Sequence, residues 1–415
     1  MPMNPPVGGA QLLWDAALLS PDAPCVTDLD ARGGGSTHTY AEVVARVAAL
    51  GAGIRELGLE RGDRVAMLLP NSHAYVDWQL AIWAAGMVSV PLNTRLRAPE
   101  YEHMVTDSES RVLVTTSEFA SRIDRLQNVS GLRIIDAEAG EMDAVISRIE
   151  PLATPEPVAL EDTASLMYSS GTTGVPKAIV LTHRSWASVA DTAIAILGMR
   201  NNEATLHIAP LTHGAGFLFL PTLRVGGHNL LCSSFDPART AELLAECGVT
   251  NLFAVPSMIR MLLDAVGPEW RAPRTLHQLY YAGSPIESET LRDAVVAFGG
   301  RLVQSFAQME APMFLTVLGQ DDHRRAVDED RLAQSAGRVV DGVELRIVDD
   351  AGRTVPPGVP GEVLAKAPQV MAGYWRRERE TDLVLAGGWL HTGDIEPFPT
   401  WSGRGSARCG VASPE

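Results

Sequence analysis

Short apolar runs recur along the chain and are separated by stretches whose apolar positions fall at helical spacing. Val65–Pro70 (VAMLLP) reads as a buried strand, His73–Ala85 as a helix, and Val88–Pro91 as the next strand. The same rhythm predicts strands at Arg111–Thr115, Ala164–Tyr168, Ala204–Ile208, Asn229–Cys232, Asn251–Val255, Gln278–Tyr281 and Arg301–Ser305. Helices are expected over Pro237–Cys247 and Pro256–Val266. Strands alternating with helices call for layered α/β architecture with largely parallel sheets. From Gly342 the pattern changes to short strands, Val343–Val348 and Glu362–Ala365, around the turn-rich DDAGRTVPPGVPG. The fold expected is therefore two layered α/β subdomains plus a small β-rich subdomain at about 340–390. Residues 395–415 are rich in Pro, Gly, Ser, Ala and Arg without a helix or strand period, and are expected to be loop-like.

Composition narrows the function. At 415 residues the chain is long enough for two or three lobes, and 46% hydrophobic against 20% charged residues is an ordinary globular balance. A net charge of −16 disfavours nucleic acid and anionic membrane as partners, so any phosphate site must be local. The four cysteines, Cys25, Cys232, Cys247 and Cys409, form no C-x-x-C pair, which points away from a zinc cluster and towards a reducing cytoplasm. The N-terminal segment lacks the order of a signal peptide, and the longest apolar stretches are too short to span a bilayer.

The strongest chemical signal is Leu166–His183, LMYSSGTTGVPKAIVLTH. A strand runs into a loop of Ser169, Ser170, Gly171, Thr172, Thr173 and Gly174, followed by Lys177 and a second strand. Glycines permit the turns, amide N–H groups and hydroxyls can wrap a polyphosphate, and Lys177 adds positive charge. Val175 and Pro176 separate Gly174 from Lys177, so this is not the Gly-Lys-Ser/Thr loop of the Walker type.

This string resembles the phosphate loop of the adenylate-forming superfamily, which holds acyl-CoA synthetases, peptide-synthetase adenylation domains and luciferases. Further segments follow in that family's order: IAPLTHGAGF from Ile208, YAGSPI from Tyr281, FAQME from Phe306, GEVLAKAPQVMAGYW from Gly361 and WLHTGD from Trp389. The resemblance implies the large N-terminal domain of an acyl-CoA synthetase over residues 1–394. It implies an AMP-forming acid–CoA ligase that converts a carboxylic acid and ATP to an acyl-AMP and then transfers the acyl group to CoA, with a place in fatty acid metabolism. By resemblance Ser169–Lys177 hold the outer phosphates, Thr173 and Glu310 bind Mg²⁺, and Asp394 receives the ribose hydroxyls. Gly283, Ser284, Phe306, Ala307 and Met309 flank the nucleotide. His213, Phe253, Ala282 and Met313 line the acyl pocket, with Lys177, His213 and Glu310 closest to the chemistry. A homodimer is among the assemblies it admits.

Two departures matter. The family's Tyr-Gly-x-Thr-Glu motif reads Phe306, Ala307, Gln308, Met309, Glu310 here, so Met309 cannot donate the hydrogen bond that Thr would give the α-phosphate. After Asp394 nothing resembles the family's mobile C-terminal domain, and a frameshift or truncation with impaired turnover is the expectation. Amino-acid adenylation is a competing reading, disfavoured because IAPLTHGAGF carries no acidic residue. A disabled nucleotide-binding protein is another. His73 and Asp77 match an H-x-x-x-D spacing but read as the solvated face of a helix, and Gly51-Ala-Gly53 reads as a helix end rather than a dinucleotide fingerprint.

Overall fold

The computed structural model describes residues 8–29, 35–169, 175–327, 329, 335–356, 358–397, 400–402 and 406–410. Its strands form three sheets. One seven-stranded sheet runs in the order Gly373–Tyr374, Lys177–Thr182, Thr163–Ser169, Val88–Pro91, Arg64–Leu68, Val112–Thr115 and Arg133–Asp136. The strands from Thr163–Ser169 to Arg133–Asp136 pair in parallel, while Lys177–Thr182 returns antiparallel as the far arm of a hairpin. The second sheet has at its centre the parallel strands Pro24–Leu29, His228–Cys232, Ala204–His207, Asn251–Ala254, Gln278–Tyr281 and Leu302–Gln308. Antiparallel strands Gly35–Thr39 and Ala311–Leu318 flank them, and Ser335–Val339 follows. The third sheet, Glu344–Val348, Pro360–Lys366 and Leu390–Pro397, is the small antiparallel subdomain expected after Gly342.

Local chemistry sets the helix ends. Thr39 caps Tyr40–Glu56 in a capping box with Glu42. Thr182 caps His183–Leu197, and Gly198 ends that helix in the left-handed region at φ +58°. The helix His73–Ala84 is buried on nearly every side, as an element with sheets on two faces must be. It packs on strands of both large sheets, and His183–Leu197 does the same beside it. Trp83 and Trp186, on these two helices, meet at 5.1 Å between ring centres, and Trp186 meets Phe217 at 4.3 Å. This aromatic layer is the central core. Truncating Trp83 to alanine would remove about 3–5 kcal/mol of stability.

Three expectations need correction. Asp77 is not on a solvated face: it is 3% exposed and takes Arg46 at 2.5 Å. His73 bonds Asp28 at 2.5 Å, so both residues tie their helix to neighbouring elements. Gly51 and Gly53 lie inside the helix Tyr40–Glu56, where a Cβ on Gly51 would come within 2.7 Å of Leu152. The segment after Asp394 is not wholly loop-like either. Thr400–Ser402 and Ser406–Gly410 are strands, and the second covers the edge of Ser335–Val339, whose backbone groups would otherwise lack partners. The remaining strand and helix boundaries differ by a residue or two, except that Leu302–Gln308 runs three residues past its expected end.

Three histidines are buried without charge. His207 shares a 2.8 Å hydrogen bond with Asn229, His323 one of 2.9 Å with Tyr281, and His183 accepts from the Gly9 amide. Burial lowers each to about 4. The unfolded chain therefore binds more protons below about pH 6.5, and the stability present above that pH is lost as pH falls towards 4. Together they should cost about 3 kcal/mol between pH 6.5 and 5.5. The thermal midpoint should fall over this interval and fall less steeply for His207→Gln; an unchanged slope in the variant would contradict the assignment.

Candidate active site

The parallel strands of the larger sheet deliver their C-terminal ends to one edge, where the turn after Leu302–Gln308 meets, through Tyr374, the hairpin strand that starts at Lys177 in the other sheet. Ligands of open α/β sheets bind beyond such strand ends. Ser169 and Lys177 face each other as the last pair of the Thr163–Ser169 and Lys177–Thr182 ladder, at the mouth of the loop. Ser170, Gly171, Thr172, Thr173 and Gly174 lie outside the described residues. The loop's exit is braced by His103, whose Nε2 lies 2.9 Å from the Pro176 carbonyl oxygen.

The hairpin joining Leu302–Gln308 to Ala311–Leu318 carries Phe306, Ala307, Gln308, Met309 and Glu310. A register shift between Phe306 and Gln308 kinks it, and Phe306 and Met309 stay half-buried against the core. The Glu310 carbonyl accepts from the Met371 amide at 2.8 Å, which brings Gly373–Tyr374 alongside Lys177–Thr182. The Tyr374 hydroxyl donates to Glu310 Oε1 at 2.9 Å, and Lys177 Nζ lies 5.3 Å from the Tyr374 ring centre. Glu310 and Lys177, distant in sequence and on different sheets, thus meet on one tyrosine.

On the hairpin's other side Gln308 Nε2 donates to Asp394 Oδ2 at 2.6 Å and to the Thr392 carbonyl at 2.8 Å. The small subdomain is thereby pinned to the end of a core strand. Half-burial raises the Asp394 pKa from its ordinary value, and the Gln308 amide opposes that rise. Gly283 and Ser284 lie exposed just beyond Gln278–Tyr281, and Gly283 has φ +94°, a conformation that favours glycine.

Of the residues expected to line an acyl pocket, Phe253 and Met313 are linked through Tyr280. A Cβ on Gly214, next to His213, would lie 3.8 Å from the Phe253 ring, and Phe253 meets Tyr280 at 5.2 Å. Tyr280 meets Phe314 at the same spacing. The Met313 backbone is left-handed at φ +74°, unusual for a side-chain-bearing residue, and its carbonyl accepts from Ser305 and Tyr280 hydroxyls. Ala282 is half-buried beside Gly283. His213 Nε2 pairs with Asn93 Nδ2 at 2.9 Å, so Nε2 is the acceptor and the ring is neutral. Burial, then the Arg95 charge, lowers its pKa, in agreement with that state.

The residues that composition and motif did not single out are Asn93, Gln308, Tyr374 and His103. Gln308 and Tyr374 lie inside the recognised strings FAQME and AGYW, where the motif gave a signal without a role; Asn93 and His103 gave none. Among the described residues no group of three or more potential ligands is placed to hold a metal by itself. No helix among them is long and apolar enough to cross a membrane.

A model of the AMP-binding enzyme family matches residues 13–375, and the chain belongs to that family. It is 37% identical over 383 residues to a feruloyl-CoA synthase of Amycolatopsis, covering 91% of this chain and 74% of the relative. The o-succinylbenzoate CoA synthetase of Bacillus subtilis, solved in complex with its acyl-adenylate intermediate, superimposes with TM-score 0.84 at 25% identity, over 96% of this chain and 77% of that one. The N-terminal domain of FACL13 from Mycobacterium tuberculosis gives TM-score 0.84 at 26% identity, over 97% of this chain and 99% of that domain.

Asn93→Ala should leave His213 Nε2 without its partner in a largely buried position, at a cost of roughly 1–3 kcal/mol. The thermal midpoint should drop accordingly; an unchanged midpoint would show that the pair does not hold the ring.

Proposed function

We propose that this chain activates a carboxylic acid with ATP as its acyl-adenylate and that the acyl group then passes to the thiol of CoA: it is an AMP-forming acid–CoA ligase. The observation that carries this reading is the placement of Lys177, Glu310 and Asp394 around one hairpin, beside the mouth of the Ser/Gly/Thr loop.

In this reading the acid's carboxylate oxygen attacks the α-phosphorus of ATP, the bond to the β-phosphate oxygen breaks, and pyrophosphate leaves. Lys177 neutralises charge on the outer phosphates, and Asp394 accepts hydrogen bonds from the ribose hydroxyls. Phe306 packs against the adenine, opposite Gly283 and Ser284. Glu310 offers a hard carboxylate oxygen suited to Mg²⁺, which binds through one or two carboxylates together with substrate phosphates. Bound there, the ion would offset the negative charge of the phosphates. His213, a neutral ring paired with Asn93, can hydrogen-bond a carboxylate without trapping it as an ion pair. In the second step the CoA thiolate attacks the acyl carbonyl and AMP leaves.

The acid is of the aryl class in this proposal. Phe253, Tyr280 and Phe314 form a buried row of rings beside Met313, an aromatic backing that suits a flat acid. The 37% identical relative is a feruloyl-CoA synthase. Cys25, Cys232 and Cys247 are free thiols, which suits a reducing cytoplasm.

ATP–pyrophosphate exchange over a panel of hydroxycinnamic, benzoic, fatty and amino acids tests the reading. Aryl acids should drive exchange well above the amino acids, and a panel without any response would overturn adenylation. Lys177→Ala should weaken ATP about 10- to 100-fold more than AMP, the range for one hydrogen bond to a charged group; equal losses would place Lys177 away from the outer phosphates. Gln308→Met should let the Asp394 pKa rise further, so that AMP affinity begins to fall at a higher pH on acidification than in the unaltered chain. Superimposable pH profiles would remove Asp394 from nucleotide binding or Gln308 from its support.

A further inference from the structure

Lys177 and Glu310 carry opposite charges and have different targets in the proposed reaction, outer phosphates for one and metal for the other. Left in contact they would neutralise each other, and binding ATP would first require that pair to break. They do not pair among the described residues. Tyr374 stands against both, its ring facing the ammonium at 5.3 Å and its hydroxyl bonded to the carboxylate at 2.9 Å. A ring of this kind holds a cation weakly and releases it to a phosphate without leaving a buried charge unpaired. The hydroxyl occupies one carboxylate oxygen and fixes the side chain, while the second oxygen keeps its lone pairs for a metal.

Tyr374 is itself rigidly placed. Its backbone pairs with Ile179, two residues beyond Lys177 on the same strand, and its amide donates to Thr381 Oγ1 at 2.9 Å. The Met371 amide bonds the Glu310 carbonyl at 2.8 Å in the same stretch. A short segment is thus stitched to the lysine strand on one side and to the glutamate hairpin on the other.

We infer that Tyr374 is a positioning residue that keeps Lys177 and Glu310 apart and pre-aimed, its ring serving the phosphate-binding lysine and its hydroxyl serving the metal-binding glutamate. The inference rests on the roles proposed above for Lys177 and Glu310.

The two functions separate by substitution. Tyr374→Phe keeps the ring and removes the hydroxyl; Tyr374→Leu removes both. ATP and AMP binding are measured by calorimetry on the full chain across a MgCl₂ titration. For Tyr374→Phe the Mg²⁺ concentration giving half of the enhancement of ATP binding should rise about threefold or more, the scale of ordering one side chain anew, with the ATP-to-AMP affinity ratio at saturating Mg²⁺ unchanged. For Tyr374→Leu that ratio should fall as well. A merely structural tyrosine would lower thermal stability and move neither quantity. Lys177→Ala and Glu310→Gln are the controls. If they alter ATP binding and its Mg²⁺ dependence while both Tyr374 variants match the unaltered chain, the bridge alone is overturned. If the controls too bind ATP·Mg normally, the bridge and the phosphate–metal reading fall together.

Discussion

Everything in this molecule hangs on a helix layer trapped between two sheets. His73–Ala84 and His183–Leu197 have a sheet on either side, and Trp83, Trp186 and Phe217 interlock between them. An element covered on both faces cannot be amphipathic, which is why His73–Ala84 is apolar almost all round. Where a charge does enter the layer it is paired, as Asp77 is with Arg46. Because both sheets pack on the same helices, their orientation is fixed, and the parallel strand ends of one lie near the loop hairpin of the other.

The chemistry then gathers on one kinked hairpin. Glu310 reaches the lysine strand through Tyr374, and Gln308 reaches the small subdomain through Asp394. The lysine strand and the small subdomain are both tied to this turn, each through a hydrogen bond to a carboxylate, the stronger kind. The neighbouring wall is built differently, from buried rings and a left-handed Met313 held by two hydroxyls. Polar groups fix the hairpin, and close packing of rings fixes the wall beside it.

Much of this was legible before the fold was seen. Period-two and period-3.6 patterns gave the strands and helices because those elements bury continuous apolar runs, whereas the phosphate site expected of the Ser/Gly/Thr loop falls largely outside the described residues. What stayed hidden were pairings that depend on tertiary contact. Asp77 looked like a surface residue because nothing in its own helix says that Arg46, on another helix, will cover it. Gln308 and Tyr374 sat inside recognised strings, but their roles follow from which carboxylates lie opposite, and sequence spacing does not contain that. The late strand Ser406–Gly410 lacks apolar periodicity because edge pairing there draws on backbone hydrogen bonds, to which composition is blind.

The central claim is that an acyl-adenylate binds around the hairpin that carries Phe306–Glu310. A crystal structure of the chain with a hydroxycinnamoyl sulfamoyl adenosine, a stable mimic of that intermediate, addresses it directly. The account predicts the ribose hydroxyls on Asp394, the adenine beside Phe306, and the aryl group running past His213 towards Phe253 and Met313. An analogue bound elsewhere, or oriented with its sugar away from Asp394, would contradict it.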